Sequence, residues 1–380
     1  MEAEVILQRS AKRLENARRV VIKLGTSTVT TEEGKACTKR LESLAQSIVS
    51  LKREGRQIVL VSSGAIGLGA AKLGLSKVRM GDVVLRQACA AVGQSLLMHQ
   101  YEILFSRQNA RIAQVLLTEE DFTDRNRYSN LRHAMERLLK LGVVPIVNEN
   151  DTVSTAEIQP FDADGKRAFS DNDRLAALIM SKLEAHVLVM LTNVDGLLNS
   201  AGSVISLVTE MNPELKALAA GPSGKGRGGM VTKLEAAEIA MRAGGLAVIG
   251  NGTTPNVLDR IFAGEALGTS FVSEKRLGGK RRWIKYAAGV RGQIVINPGA
   301  RQAIVDRKAS LLSSGVISIH EEFKAMDVIS IVDHEGHEFA RGITNYPSNE
   351  VQKLVATAIS LSGKLKARVL VTRNNIVLND

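Results

Sequence analysis

The sequence predicts an α/β protein whose parallel sheet is covered by helices on both faces. Two observations predict this class. Short runs rich in β-branched residues alternate with helix-length amphipathic segments through residue 252 of the 380-residue chain. Most of these runs also lead directly into glycine or polar residues. Because parallel strands need long crossover connections, usually helices, regular alternation of this kind is typical of a sheet built from βαβ units.

Six segments are predicted as strands from their apolar, β-branched composition. They are 20–25, 57–64, 112–118, 143–150, 186–193 and 246–252. The polar or glycine residues at their ends are Lys23, Gly25, Ser62, Ser63, Gly64, Asn148, Asn150, Thr192, Asn193, Asn251 and Gly252. Ligands of open α/β sheets bind outside the carboxyl ends of the strands, so we expect these residues to line one site. The alternative is that they only terminate strands.

The positive charge is concentrated in one segment. The net charge is +11, and the stretch KRLGGKRRWIK at 275–285 contains six basic and no acidic residues. This composition favours a solvated linker and a domain boundary near residue 280, with a phosphate-binding arm as the alternative.

The N-terminal segment does not have the pattern of a signal peptide, and no apolar run approaches the about 18 residues of a membrane span. We expect a cytoplasmic protein.

A glycine-rich segment at 221–229, GPSGKGRGG, leads into the helix-forming run MVTKLEAAEIAMRA. It lacks the GK[ST] ending of a Walker A loop, and SSGAIGLG after the second strand has the wrong glycine order for a dinucleotide-binding turn. Bare backbone N–H groups at a helix start attract anions, and Lys233 lies in the first turns of the helix. The pattern favours a polyphosphate site, with a flexible surface turn as the alternative.

Two polar clusters add chemistry. The sequence DND at 171–173 precedes an apolar helix, where one acidic residue would serve as an N-cap. Two acids around an amide instead suggest an aspartate that holds Lys23 and Lys233 around a transferring phosphoryl group. The cluster NEND at 148–151 follows a strand and offers amides and a carboxylate to a ligand ammonium group. As the alternative, this cluster is an ordinary turn.

The ordered motifs VVIKLGTS, VLVSSGAIGLG, PIVNENDTVS, SDNDRLAAL, MLTNVDGL and GRGGMVTKLEAA resemble the amino-acid kinase family over residues 18–273. Within that family they look like the members that act on glutamate. The resemblance implies a three-layer αβα sandwich with a mainly parallel sheet. It implies transfer of phosphate from ATP to the γ-carboxylate of L-glutamate, which gives L-glutamyl 5-phosphate in the first step of proline biosynthesis. It also implies Mg²⁺ dependence, feedback inhibition by proline and a homo-oligomer.

The resemblance also assigns site residues. The catalytic residues it implies are Lys23, Asp173 and Lys233. The ATP-binding positions are Lys23, Thr192, Asn193, Arg227, Gly228, Gly229, Met230, Val231, Thr232 and Lys233. The glutamate-binding positions are Ser63, Asn148, Asp151 and Asn172. No protein ligand to a metal is expected. A carboxylate with a reference pKa of about 4.3 is already ionised near neutral pH, so this nucleophile needs no general base.

The C-terminal part, 289–370, is similar to a PUA domain, a small β-rich module that binds RNA in other proteins. The predicted organisation is a kinase domain at 18–273, a basic linker at 274–288 and this module. Two alternatives to a glutamate kinase stay open. One is another amino-acid kinase, acting on N-acetylglutamate or aspartate. The other is a catalytically inactive regulator that binds RNA.

Overall fold

The computed structural model separates the chain into two units, each with its own sheet. The first unit contains Met1–Asp121 and Arg125–Arg276, and the second contains Phe122–Asp124 and Leu277–Asp380. The residues whose structure is described are 2–75, 82–118, 120–153, 172–220, 228–273, 284, 290–360 and 367–379.

The first unit is built on an eight-stranded sheet in the order β3-β4-β2-β1-β5-β7-β8-β6. All neighbours are parallel except β7 and β8, which pair antiparallel. The strands are β1 (Arg19–Leu24), β2 (Gln57–Ser62), β3 (Ile112–Leu117), β4 (Val144–Glu149), β5 (Val187–Thr192), β6 (Leu207–Val208), β7 (Leu246–Asn251) and β8 (Thr269–Val272). The six predicted strands all belong to this sheet.

Helices cover both faces of this sheet. The helices up to residue 262 are α1 (Glu2–Glu15), α2 (Thr26–Val29), α3 (Thr38–Arg53), α4 (Ala65–Lys72), α5 (Val83–Ser106), α6 (Glu120–Thr123), α7 (Arg125–Lys140), α8 (Asn172–Lys182), α9 (Pro213–Ala220), α10 (Gly228–Arg242) and α11 (Val257–Phe262), of which α6 includes residues of both units. In β1, Val20 and Ile22 join the core formed with α3 and α5, and Val21 between them is also fully buried. Because successive strand residues point to opposite faces, both faces are covered, and the predicted mainly parallel αβα fold is confirmed.

The carboxyl ends of β1, β2, β4 and β5 lie at the same edge of the sheet because these strands run in parallel. Helices α2 and α4 begin directly after β1 and β2, and α8 and α10 precede β5 and β7 along the chain. A helix that connects two parallel strands runs back across the sheet, so its N-terminus lies near the carboxyl edge. Backbone N–H groups, which favour anions, are therefore concentrated at the edge where the polar strand ends were predicted to meet.

Helices α4 and α5 approach each other at two glycines. A Cβ added to Gly93 would lie 1.7 Å from the carbonyl oxygen of Ala65, and one added to Gly69 would lie 1.8 Å from that of Cys89. Real Cβ atoms never come so close to backbone oxygen, so only glycine permits this helix contact. The contact fixes α5 against the first turn of α4, next to the end of β2.

The second unit is β-rich, as predicted. Its strands are β9 (Gln293–Ile296), β10 (Leu311–Leu312), β11 (Val316–His320), β12 (Val328–Val332), β13 (Glu338–Ile343), β14 (Val369–Val371) and β15 (Ile376–Leu378), with helices α12 (Pro298–Arg307) and α13 (Ser348–Ser360). Five of the strands form one sheet in the order β11-β9-β12-β13-β15, and β10 pairs with β14.

Ile284 is the one described residue of the predicted linker at 274–288. It is fully buried in a cluster with Val328, Ile343 and Val377 of the second unit. The core of this unit therefore includes a residue that precedes the predicted start of the module at 289. The predicted domain boundaries stay predictions. Among the described segments, no helix combines the length and the apolar character that a membrane span requires.

Candidate active site

A cavity of about 740 Å³ lies at the carboxyl edge of the first unit's sheet. Its wall contains side chains or backbone from β1, β2, β4 and β5 or the residues that follow them, and from the first turns of α8 and α10. The predicted site residues on the wall are Lys23, Ser63, Asn148, Asp151, Asn172, Asp173, Thr192, Asn193, Gly229, Met230 and Lys233. One site therefore brings together most of the residues that the sequence singled out.

The two predicted lysines are bridged by one carboxylate. The Nζ of Lys23, in β1, lies 2.7 Å from Oδ1 of Asp173, and the Nζ of Lys233, in α10, lies 2.9 Å from Oδ2. The Asp173 side chain has no solvent exposure. A buried charge of this kind is stable only when it is paired and hydrogen-bonded. The arrangement holds two ammonium groups at fixed positions on the cavity wall.

The charge state of Asp173 follows from these contacts. Burial alone would raise its pKa, but the positive charges and hydrogen bonds of Lys23 and Lys233 outweigh burial and hold the pKa below its usual range. The carboxylate is therefore ionised at neutral pH. Thr232 also donates a hydrogen bond to Oδ2 at 3.3 Å, and Lys233 donates one to the carbonyl of Gly229 at 2.9 Å. The contacts of Thr232 and Lys233 with Asp173 tie the start of α10 to the start of α8, and the bond to Gly229 lies within α10.

A chain of amide hydrogen bonds lies on the side of the cavity near β2 and β4. The Nδ2 of Asn172 donates to Oγ of Ser63 at 2.9 Å and to Oδ1 of Asn148 at 3.0 Å. The Nδ2 of Asn148 donates in turn to Oε1 of Gln94 at 2.9 Å. Three of the four residues assigned to glutamate are thus connected to one another, and Gln94 in α5 extends the chain.

Asp151, the fourth of these residues, lines the same cavity just after β4. Burial raises its pKa to about 6, and the positive charge of Arg86 acts in the opposite direction. An aspartate with this pKa is ionised above pH 6, although its burial disfavours the charged form. A cationic group supplied by a ligand would stabilise the ionised form of Asp151.

The predicted nucleotide positions are only partly on the cavity wall. Gly229, Met230 and Lys233 of α10 line it, as do Thr192 and Asn193 at the end of β5. Val231 and Thr232 do not line it, although Thr232 contacts Asp173. Gly228 is the first residue of α10. Arg227 and Asp171 lie outside the described residues, as does the segment 154–170.

The expectation that all polar strand ends meet at one site needs correction. Ser62 turns into the core, where its hydroxyl lies 2.6 Å from that of Tyr101. The Nδ2 of Asn251 donates to Oδ1 of Asp195, and its Oδ1 accepts from the N–H of Thr253, so Asn251 organises its own turn. Asn150 and Gly252 are also absent from the described wall of the cavity. In β2, alternation explains the difference between Ser62 and Ser63, because neighbouring strand residues face opposite sides of the sheet.

Sequence reasoning also missed part of the wall. Thr26 and Ser27 follow Gly25 and line the cavity at the start of α2. A lysine followed closely by glycine and then by hydroxyl residues at a helix start was the available signal. Gln94 gave no such signal, because it lies within a long helix. Its contact with Asn148 joins residues 54 positions apart in the chain.

The donor groups of the cavity suit a ligand that carries phosphate. Two ammonium groups, the first residues of α10 and the exposed residues Thr26 and Ser27 after Gly25 can all face anionic oxygens. On the opposite side, amides and a carboxylate suit a small zwitterion. The fold and the cavity therefore define an αβα protein with one site at the carboxyl edge of its sheet, able to hold an anionic group beside a cationic one.

The comparisons with known proteins agree with this class. Residues 18–251 match the model of the amino acid kinase family, and residues 292–359 match that of the PUA domain. The chain belongs to the amino acid kinase family, and its C-terminal unit carries a PUA domain.

Three curated relatives are similar over most of their length, and each is named glutamate 5-kinase. The relative from Caldanaerobacter subterraneus is 42% identical over 88% of this chain and 90% of its own. The relative from Moorella thermoacetica is 43% identical over 90% of both chains. The relative from Gloeobacter violaceus is 42% identical over 94% of this chain and 98% of its own.

Proposed function

We propose that this protein transfers the γ-phosphoryl group of ATP to the γ-carboxylate of L-glutamate, giving L-glutamyl 5-phosphate for proline biosynthesis. The observation that carries the proposal is the bridge from Lys23 through Asp173 to Lys233, in the same cavity as the amides of Asn148 and Asn172. The similarity to curated glutamate 5-kinases over nearly the whole chain supports the choice of substrate.

In the proposed reaction, two anionic groups must approach each other, so the protein acts mainly by positioning and by neutralising charge. Lys23 and Lys233 supply positive charge on the cavity wall. Asp173 does not react, but orients both lysines through its two oxygens. A mobile lysine would lose part of its effect, because it would have to be ordered during the reaction.

ATP fits the phosphate-suited side of the cavity, where we place Thr192, Asn193 and the residues from Arg227 to Lys233 beside it. Mg²⁺ would supply charge neutralisation on the phosphate oxygens, and magnesium usually keeps several waters and binds largely through phosphates. Asp173 is a poor candidate for a metal ligand because lysines occupy both of its oxygens. We therefore propose no protein ligand for the metal.

The glutamate side is assigned to Ser63, Asn148, Asp151 and Asn172. Asp151 would pair with the α-ammonium group, which would lower the electrostatic cost of its burial. N-Acetylglutamate lacks this ammonium group, so Asp151 favours a free amino acid. Aspartate has the ammonium group but is one methylene shorter, so its side-chain carboxylate would lie farther from the phosphoryl group.

The test is ATP turnover by the full-length protein with glutamate, N-acetylglutamate and aspartate in parallel. Hydroxylamine in each reaction converts an acyl phosphate to a stable hydroxamate, which identifies the product directly. We expect hydroxamate with glutamate and little with the other two. If another acceptor is preferred, the proposed substrate is wrong and the protein is another kinase of this family. Absence of turnover with all three would favour the inactive regulator.

Further proposals concern partners and location. We propose a homo-oligomer with proline as a feedback inhibitor, and a cytoplasmic location. RNA binding is proposed for the PUA domain, because modules of this type bind RNA in other proteins. Sedimentation of the full chain, inhibition by added proline, and a gel-shift assay with mixed cellular RNA test these proposals separately.

A further inference from the structure

We propose that Gln94 is a positioning residue for the glutamate side of the cavity, a role that rests on the proposed function. Gln94 lies in α5 and is not part of the described cavity wall. Its Oε1 accepts a hydrogen bond from Nδ2 of Asn148 at 2.9 Å. Gln94 therefore acts through Asn148 and does not touch the reacting groups.

The hydrogen bonds run in one direction from the cavity to Gln94. The amide nitrogen of Asn172 donates to the oxygen of Asn148, and the nitrogen of Asn148 donates to the oxygen of Gln94. Each amide has one accepting oxygen and one donating nitrogen, so reversing one amide would place two donors or two acceptors together. The oxygen of Gln94 is thus the acceptor that ends the chain.

The direction of these amide hydrogen bonds determines which side-chain atom of Asn172 remains for a ligand. With its nitrogen committed to Asn148 and Ser63, its Oδ1 is buried and accepts no hydrogen bond in the described part of the chain. An amide oxygen is a suitable acceptor for an ammonium group. The reversed chain would turn a nitrogen towards that group, and two donors would then face each other.

Two contacts of α5, one on each side of Gln94, hold this residue in place. Directly before it, Gly93 packs against the carbonyl of Ala65 at the start of α4, so tightly that a Cβ would lie 1.7 Å from this oxygen. Two turns further along α5, the hydroxyl of Tyr101 lies 2.6 Å from that of Ser62, the residue before Ser63. Helix α5 is therefore anchored on both sides of Gln94 to the segment that carries Ser63.

Two charged substitutions separate hydrogen bonding from simple charge attraction. Gln94→Glu keeps an accepting oxygen for Asn148, whereas Gln94→Lys offers only donors. Glutamate carries a net negative charge, so charge attraction alone predicts tighter binding by the lysine variant. The amide chain predicts the reverse order.

The experiment measures KM for glutamate and for ATP in the full-length protein. The variants are Gln94→Glu, Gln94→Lys and Gln94→Met, with Gln100→Met on the same helix as the matched control. Loss of one such hydrogen bond corresponds to an increase in the KM for glutamate of about three- to tenfold. We expect this increase in Gln94→Met and Gln94→Lys, a smaller increase in Gln94→Glu, and an unchanged KM for ATP in all three variants. If Gln94→Lys bound the substrate glutamate more tightly than Gln94→Glu, the proposal would be overturned. Equal effects of Gln94→Met and Gln100→Met would also overturn it.

A second measurement needs no substrate. The side-chain amide ¹⁵N–¹H signals of Asn148 and Asn172 should both move in Gln94→Lys and stay in place in Gln100→Met. If these signals move but the wild-type protein phosphorylates no glutamate, the proposed function is wrong and the amide chain stands. If the protein is active and the signals do not move, the role of Gln94 is wrong.

Discussion

The ammonium group of Lys23 lies 2.7 Å from a carboxylate oxygen of Asp173, and neither side chain is appreciably exposed to solvent. Lys23 belongs to the central strand β1, whereas Asp173 belongs to the first turn of α8. Pairs this buried are costly to break, because the remaining partner is left as an uncompensated charge. The lysine positions in the cavity are therefore a property of the fold and are set before any ligand binds.

Lys233→Ala should lower turnover by about 10²- to 10³-fold, the usual loss when one preorganised charge or donor is removed from an active site. Lys233→Arg should also have low turnover, since a forked guanidinium cannot replace a compact ammonium beside Asp173. Steady-state turnover and thermal unfolding test both variants. The control is Lys216→Ala, which removes a half-exposed lysine paired with Glu238. Near-wild-type turnover of Lys233→Ala would remove Lys233 from the catalytic group.

Asp151 predicts a pH dependence of glutamate binding. Its pKa is raised to about 6 by burial, so the carboxylate that would pair with the substrate ammonium is lost as pH falls through 6. At pH 5 about one tenth of this group is ionised, and the KM for glutamate should be about tenfold higher than at pH 8. Asp151→Asn should show a high KM at both pH values and a KM for ATP like that of the wild type. A variant that keeps the wild-type pH profile would show that another group titrates.

The same raised pKa has a consequence for stability. Between the unfolded pKa of about 3.9 and the folded value of about 6, the folded protein binds more protons than the unfolded chain. Asp151 therefore lowers the free energy of unfolding as pH rises through this window. Asp151→Asn should exceed the wild type in thermal stability above pH 6, and the difference should shrink towards pH 4. A constant difference would contradict the assignment.

Gly93→Ala should destabilise the first unit. The added methyl group would overlap the backbone of Ala65, so α4 and α5 must separate, at a cost of about 1–3 kcal/mol or more. Gly67→Ala in α4 is the matched control, since nothing lies within 4 Å of its added Cβ. This control should gain roughly 0.5–1 kcal/mol, because alanine is the better helix former. Chemical denaturation measures both, and equal effects would refute the close contact.

Lys182 is a buried lysine outside the cavity, and its Nζ lies 4.2 Å from the centroid of the Tyr128 ring. Burial lowers its pKa to about 7. Between pH 7 and the unfolded pKa of about 10.4, the unfolded chain binds more protons, so this lysine makes stability rise with pH. The rise should be absent in Lys182→Met and present in Lys216→Met. If the free energy of unfolding changes with pH in the same way in the wild type and in Lys182→Met, Lys182 is not the source of the rise.

The sequence predicted the sheet well because the strands of a parallel sheet are buried on both faces. Such strands appear as continuous apolar runs, as in QIVLVS of β2 and VLVMLT of β5. The position of Lys23 beside Lys233 could be predicted only from the order of motifs. Their common partner, Asp173, is 150 residues from one and 60 from the other, so no local pattern connects them.

The remainder could not be predicted, because it depends on which way individual side chains point. Val231 follows Met230 in α10, but successive helix residues turn by about 100 degrees, which takes Val231 off the cavity wall. Gln94 was missed because its role arises from one tertiary contact with Asn148. Tertiary contacts between helix surfaces and strand ends leave no periodic signal in the chain.

Strand β1 pairs with β2 on one side and with β5 on the other. During synthesis at about 5–20 residues per second, β5 follows β1 only after roughly 10 to 30 seconds. Until then the edge of β1 that faces β5 has no partner from its own chain, and four of the six residues of the strand are apolar. Nascent chains that stop before Val187 therefore expose a strand edge suited to pairing with other molecules. Every nascent chain passes through this stage, long before Lys23 and Lys233 can both contact Asp173.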